Sequence, residues 1–193
     1  MPDSLPPSYF DAVYAAHADP WGFETSPYEA LKYDATLAAL PRERFASAFE
    51  AGCSIGVLIE RLAARCRRLL AVDVSDAALA RARVRCAGLP HVAFERRVLP
   101  GDFPDDAAPF DLILVSEVGY YFSAPDLDRF RGACARSLAP GGALVLVHWT
   151  APVHDYPLTG DAVHEAFLAD SAFRPVAGSR APEYRLDVLE RAV

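Results

Sequence analysis

The segment Phe49-Glu50-Ala51-Gly52-Cys53-Ser54-Ile55-Gly56-Val57 constrains this chain more than any other. A short apolar run ends in an acid, breaks at two glycines and opens into a helix-like pattern over residues 57–65. Gly52 permits a sharp turn and close approach of backbone to a ligand. Gly56 stands where the helix opens, and a small residue there lets helix and strand pack closely. A second apolar run, residues 69–74, carries Asp73 near its end, twenty-one residues after Gly52. At that spacing a carboxylate can accept hydrogen bonds from both ribose hydroxyls of a nucleotide. Loop and acid together predict a nucleotide-type cofactor.

The rest of the chain alternates in the same way. Residues 46–50, 69–74, 91–95, 110–115, 143–149 and 184–189 read as strands. Helices are predicted over 57–65, after the N-cap Ser75, over 126–138 and over 160–169. Leu79, Ala82 and Cys86 fall on one face of the second of these. Pro140-Gly141-Gly142 reads as a turn. Two helices precede this core, 8–17 and 28–40, separated by the turn-rich stretch Ala18-Asp19-Pro20-Trp21-Gly22. Alternation of this kind predicts an α/β domain whose largely parallel sheet has helices on both faces. Such sheets bind ligands at the carboxyl ends of their strands. The 193 residues suit one domain, with enough chain to bury a core without disulfides or metals.

Charge and loop chemistry narrow the cofactor. Nineteen basic residues against twenty-six acidic ones give −7, which argues against nucleic acid or an anionic membrane as partner. The dinucleotide loop is G-x-G-x-x-G, but here Ser54 replaces the second glycine and Gly56 arrives one residue early. Glu50 would repel a pyrophosphate and attract an ammonium. S-adenosylmethionine has adenosine, no phosphate, and an amino-acid tail, and it suits this loop. Cys53, Cys66, Cys86 and Cys134 lack metal-site spacing and read as reduced, buried thiols, so no metal is expected. With no apparent leader and no membrane-length apolar run, a cytoplasmic protein is the expectation.

Taken together, E-x-G-x-x-x-G, the acid ending the second strand, Phe110-Asp111-Leu112-Ile113 and Leu138-Ala139-Pro140-Gly141-Gly142 resemble class I S-adenosylmethionine-dependent methyltransferases. Other segments resemble the nodulation protein S (NodS) family. These are Asp19-Pro20-Trp21-Gly22-Phe23, Ser26-Pro27-Tyr28-Glu29, Lys32-Tyr33, Ser116-Glu117-Val118-Gly119-Tyr120-Tyr121, His148-Trp149 and Asp155-Tyr156-Pro157-Leu158-Thr159-Gly160. The resemblance implies a Rossmann-like, doubly wound, seven-stranded mixed sheet with its last strand antiparallel. The strand-and-motif reading divides this single domain into a helical lid over residues 1–45, a cofactor-binding core over 46–149 and a sheet-completing, acceptor-side part over 150–193.

The resemblance further implies roles for individual residues. Glu50, Gly52 and Gly56 would line the amino-acid tail of the cofactor, with Ser54 also in the cofactor site; Asp73 would hold the ribose, and Val74 would lie beside the adenine. Ser116, Trp21 and Tyr28 would complete the cofactor site, and Lys32 could pair with the cofactor carboxylate. Relatives place an acid at the adenine amino group where this chain has Arg97. Arginine accepts no hydrogen bond, so stacking of Arg97 or a backbone contact at Val98 would substitute. Glu117, His148 and Tyr120 are the candidate catalytic groups, with Glu117 orienting an amine and His148 assisting. Tyr121 and Trp149 would bind the acceptor, because aromatic faces attract cations and sugars. The implied reaction is N-methylation of a small-molecule or saccharide amine, with S-adenosylhomocysteine as co-product, by a monomer or homodimer. Three alternatives stay open: O-methylation, a nicotinamide-dependent oxidoreductase, and a non-catalytic cofactor-binding protein. Glu50, Ser54 and the lack of room for a second substrate domain disfavour the oxidoreductase.

Overall fold

The computed structural model describes residues 2–192. Seven strands form one sheet in the order β3-β2-β1-β4-β5-β7-β6. They are β1 (Ala48–Ala51), β2 (Leu69–Asp73), β3 (Val92–Arg96), β4 (Phe110–Ser116), β5 (Leu138–Trp149), β6 (Phe173–Arg180) and β7 (Tyr184–Arg191). β1 pairs parallel with both β2 and β4. β7 runs antiparallel to β5 and to β6, so the expected mixed sheet with an antiparallel last strand is present. The order reverses between β1 and β4, and a crevice opens at that switch point.

Six helices accompany the sheet: α1 (Pro7–Ala16), α2 (Pro27–Ala39), α3 (Val57–Leu62), α4 (Asp76–Arg85), α5 (Ala124–Ser137) and α6 (Gly160–Leu168). Their starts follow from capping chemistry. Ser26, Ser75, Ser123 and Thr159 each accept a backbone N–H three residues on. Ser123 therefore starts α5 two residues before the expected Asp126. Proline at the first helical position suits α1 and α2, because its fixed φ is helical and no hydrogen bond is lost there.

β4 shows why the core has two layers. Ile113 and Val115 pack with Phe49, Phe130 and Phe167 on one face, while Leu112 and Leu114 pack with Ile59, Leu62 and Leu79 on the other. A strand alternates its side chains, so an unbroken apolar run is buried on both faces. Removing one such side chain, as in Leu114→Ala, costs about 2–5 kcal/mol.

Two features depart from the sequence expectation. Residues 139–142 do not form a separate turn. They bulge within β5, whose register to β4 jumps from Phe110↔Leu138 to Leu112↔Ala143. β6 is an additional strand that periodicity does not predict. It lies at the sheet edge, is almost wholly exposed, and contains Pro175 and Gly178. Edge strands tolerate such residues because one side needs no ladder.

Candidate active site

A cavity of about 540 Å³ opens over the carboxyl ends of β1, β2 and β4, with α1 and α2 across it. Its first end is built by the glycine loop. Gly52, Ser54 and Gly56 all have positive φ, so the loop coils tightly. A side chain at Gly52 would also press on Val118, 3.0 Å away. Asp73 ends β2 and accepts the backbone N–H of Ser54 at 2.8 Å and of Ser75 at 2.9 Å. The acid thus braces the loop that it faces. Burial raises the Asp73 pKa, and the backbone hydrogen bonds oppose the rise. Tyr14 of α1 reaches the same loop through its hydroxyl, 2.5 Å from Ser54 Oγ.

Glu50 is the penultimate residue of the neighbouring strand β1 and is 2% exposed. Its Oε2 has no hydrogen-bond partner among the described residues. Burial first, and then the charge of Asp73, push its carboxyl up to about 8. A buried acceptor of this kind calls for a donor, and an ammonium supplies both the donor and the charge. The α-ammonium of S-adenosylmethionine fits this oxygen. Asp73 lines the same cavity.

The second end is built around Glu117, which follows β4 with φ of 57°. Its Oε1 accepts Lys32 Nζ at 2.6 Å. Its Oε2 accepts the Tyr120 hydroxyl at 2.6 Å and the Trp149 backbone N–H at 2.9 Å. Lys32, on α2, is 2% exposed and also donates to Glu29 Oε1 at 2.9 Å. It therefore belongs to a buried carboxylate–ammonium–carboxylate row and is not a free partner for the cofactor carboxylate. Aromatic walls surround the row. Tyr156 stacks on Tyr120 with centroids 5.0 Å apart, and Tyr121 meets Tyr156 edge-on at 4.8 Å. Tyr28 packs edge-on against Trp149 at 5.7 Å and against Tyr184 at 6.2 Å.

His148 departs from expectation. It is fully buried, outside the cavity wall, and both ring nitrogens are engaged. The Gly119 N–H donates to His148 Nε2 at 3.1 Å. A backbone N–H can only donate, so Nε2 carries the lone pair and Nδ1 the proton. His148 Nδ1 then donates to His164 Nε2 at 3.1 Å, and His164 Nδ1 donates to Asp187 Oδ2 at 2.6 Å. Burial, with His164 and Lys32 adding to it, holds His148 well below the usual imidazole range. The ring is a neutral acceptor for one peptide group and has no lone pair left for a substrate proton. Asp187 completes the row. Burial would raise its pKa, but His164 and Arg185 hold it below the ordinary carboxylate range.

Other expected residues separate into groups. Ser54, Asp73, Val74, Arg97, Val98, Ser116, Trp21 and Tyr28 line the cavity with Glu50 and Gly52. Tyr28, expected at the cofactor, packs on Trp149 at the second end of the cavity. Gly56 is not on the wall. A side chain there would stand 3.0 Å from the Ala82 methyl, so the glycine serves packing of α3 on α4. The Val98 N–H is taken by Asp102 at 3.1 Å, which removes it as the substitute adenine contact. The Arg97 guanidinium is held by Glu95 and Asp106. Glu117, Tyr120, Tyr121 and Trp149 line the other end. Sequence reasoning does not single out Glu29, Tyr156, His164 or Asp187. Glu29 had one available signal, its i, i+3 spacing to the chain's single lysine on an amphipathic helix.

Known proteins match this architecture. Nodulation protein S of Rhizobium tropici is 35% identical over 131 residues, which are 66% of this chain and 53% of that protein. A dTDP-4-amino-2,3,4,6-tetradeoxy-D-glucose N,N-dimethyltransferase of Saccharopolyspora spinosa is 30% identical over 146 residues, 74% of this chain and 54% of that protein. The chain thus spans about half the length of these curated relatives. The crystal structure of N-methyltransferase NodS from Bradyrhizobium japonicum WM9 in complex with S-adenosyl-L-homocysteine superposes with a TM-score of 0.81. It is 25% identical, and the match covers 96% of this chain and 98% of that one. The family model for nodulation protein S matches residues 13–145, and this chain belongs to the NodS family.

Proposed function

We propose that this chain is an S-adenosylmethionine-dependent N-methyltransferase whose acceptor is the amine of a small molecule or amino sugar. The observation that carries the reading is a single cavity with two differently built ends. One end offers Asp73 and the unpartnered Glu50 oxygen to a nucleoside bearing an amino-acid tail. The other offers an acidic row between aromatic walls, which suits a cation or a sugar ring. A relative named for dimethylation of an amino sugar supports the acceptor class.

S-adenosylmethionine supplies an activated methyl group on a sulfonium. The chain's own residues have three tasks. Gly52, Glu50 and Asp73 fix the cofactor. Glu117, held by Lys32, Tyr120 and the Trp149 N–H, gives the acceptor end a rigid negative charge. Helices α1 and α2 act as the cover that excludes water and aligns the amine with the methyl group. His148 holds Gly119, at the start of the turn Gly119–Tyr121 that carries Tyr120.

The test is transfer of labelled methyl to D-glucosamine, to partly de-N-acetylated chitooligosaccharides and to nucleotide-linked 4-amino sugars, with N-acetylated counterparts as controls. Label is expected on nitrogen, and only where the amine is free. Label on oxygen alone, or tight cofactor binding with no transfer to any of these amines, overturns the reading.

A further inference from the structure

The acceptor end contains two carboxylates, Glu29 and Glu117, and one ammonium, Lys32. The row therefore has one negative charge in excess, in a place where all three side chains are largely buried. The two carboxylates are not equally satisfied. Glu117 receives three donors, from Lys32, Tyr120 and the Trp149 backbone. Glu29 receives one side-chain donor, Lys32, on Oε1, and its Oε2 has no partner among the described residues although the side chain is only 9% exposed. The neighbouring Tyr28 hydroxyl is also buried and unpartnered. Both residues line the cavity.

Resting on the N-methyltransferase reading above, we propose that Glu29 is the carboxylate that receives the acceptor's ammonium group and takes its proton before methyl transfer. An incoming ammonium supplies the donor that Oε2 lacks and the positive charge that the row lacks. Glu117 is the poorer proton acceptor, because both of its oxygens are already held. Burial raises the Glu29 pKa and Lys32 opposes the rise, while Glu117, on the other side of Lys32, and Asp19 before α2 add to it. Tyr33, on the same helix, also feels the Glu29 charge. A carboxyl poised upward shares a proton more evenly with an amine.

The step balances. R–NH3+ and the Glu29 carboxylate become R–NH2 and the carboxylic acid. The nitrogen lone pair then forms the N–C bond as the C–S bond breaks, its electron pair remaining on sulfur. The product leaves as R–NH2–CH3+, and Glu29 returns its proton to water.

Two measurements test this. The first follows glutamate side-chain carboxyl carbons by 13C NMR in the full chain loaded with S-adenosylhomocysteine. The Glu29 signal is assigned by its loss in Glu29→Gln. Methylammonium and D-glucosamine should shift this signal and lower its titration midpoint, while N-acetyl-D-glucosamine and sodium chloride at equal ionic strength should not. A Glu29 midpoint that neither amine moves overturns the proposal. The second is kinetic, on an amine that the unmodified enzyme methylates. Glu29→Gln should lower kcat/KM about 10²- to 10⁴-fold and remove the acid limb of the pH profile. Its affinity for S-adenosylhomocysteine should stay within about twofold, since that end of the cavity is separate. Wild-type kcat/KM with an unchanged acid limb refutes the role of Glu29 and leaves N-methylation standing. If the unmodified enzyme methylates no amine, the functional reading fails instead, and the NMR titration still decides whether Glu29 binds an ammonium.

Discussion

Replacing Glu50 by glutamine separates two effects of one buried carboxylate. The acid is completely buried and moves from its ordinary 4.5 up to about 8, first because water is removed and then because Asp73 is near. A folded-state pKa above the unfolded one means that the folded protein binds more protons between those values. Stability from the protonated acid is full below about pH 4.5 and is lost as the pH rises to about 8. At 1.36 kcal/mol per pH unit, the span amounts to about 5 kcal/mol as an upper limit. Glu50→Gln cannot ionise, so without ligand its denaturation free energy should lack this fall. The variant should be the more stable protein at pH 8 and above. Ligand binding reverses the order. An ammonium on Glu50 Oε2 stabilises the charged acid, so S-adenosylhomocysteine should expel about 0.9 proton at pH 7. Its affinity should climb about tenfold per pH unit toward pH 8 and then level. Calorimetry in buffers of different ionisation enthalpy measures the proton directly, and chemical denaturation across pH measures the stability. Proton-neutral binding, or Glu50→Gln binding S-adenosylhomocysteine as tightly as the parent, would refute the reasoning.

Two further outcomes follow from the geometry. Asp73→Asn retains size but removes charge-assisted hydrogen bonds worth about 1.5–3 kcal/mol each and loosens the Ser54 and Ser75 N–H groups. Affinity for S-adenosylhomocysteine should fall at least about tenfold by calorimetry, and unchanged affinity would count against the ribose assignment. His148→Phe fills the ring volume but leaves the Gly119 N–H without an acceptor, which should cost about 1–3 kcal/mol in urea denaturation. The acid limb of its pH–rate profile should stay at the parental position. A displaced limb would restore His148 as a proton acceptor.

The parts legible in the sequence are those that local chain geometry decides. Glu50, the glycine loop and Asp73 lie within one strand–turn–helix–strand unit, so their proximity follows from spacing alone. The β4 run is legible because a strand buried on both faces is continuously apolar. His148 shows where local reading stops. Strand alternation puts it on the same face as Leu144 and Leu146, the face that α6 covers with Val163 and Phe167. Its position beside the strand end suggested the cavity, whereas its parity within β5 points into the core. Glu29 is different again. Its role depends on how α2 lies across the end of β4 and brings Lys32 within reach of Glu117, eighty-five positions away in the chain. No periodicity encodes that packing. β6 lacked a signal because an exposed edge strand has no apolar face to reveal it.

The insertion of β7 between β5 and β6 carries a consequence for the tyrosine turn. Asp187 lies on β7, and the hydrogen-bond polarity that runs through His164 and His148 to Gly119 starts from its charge. Arg185 holds that charge at 2.7 Å and ties it to Glu165 on the outer side of α6. A substitution at Arg185 therefore changes more than a solvent-facing ion pair. By loosening Asp187, it lets the two imidazoles exchange tautomers and withdraws the acceptor from the peptide at which the tyrosine turn begins. Residues 185, 187, 164 and 148 thus form one hydrogen-bonded chain that ends on the Gly119 peptide. An arginine with no view of the cavity is thus linked, through three buried side chains, to a turn that shapes it.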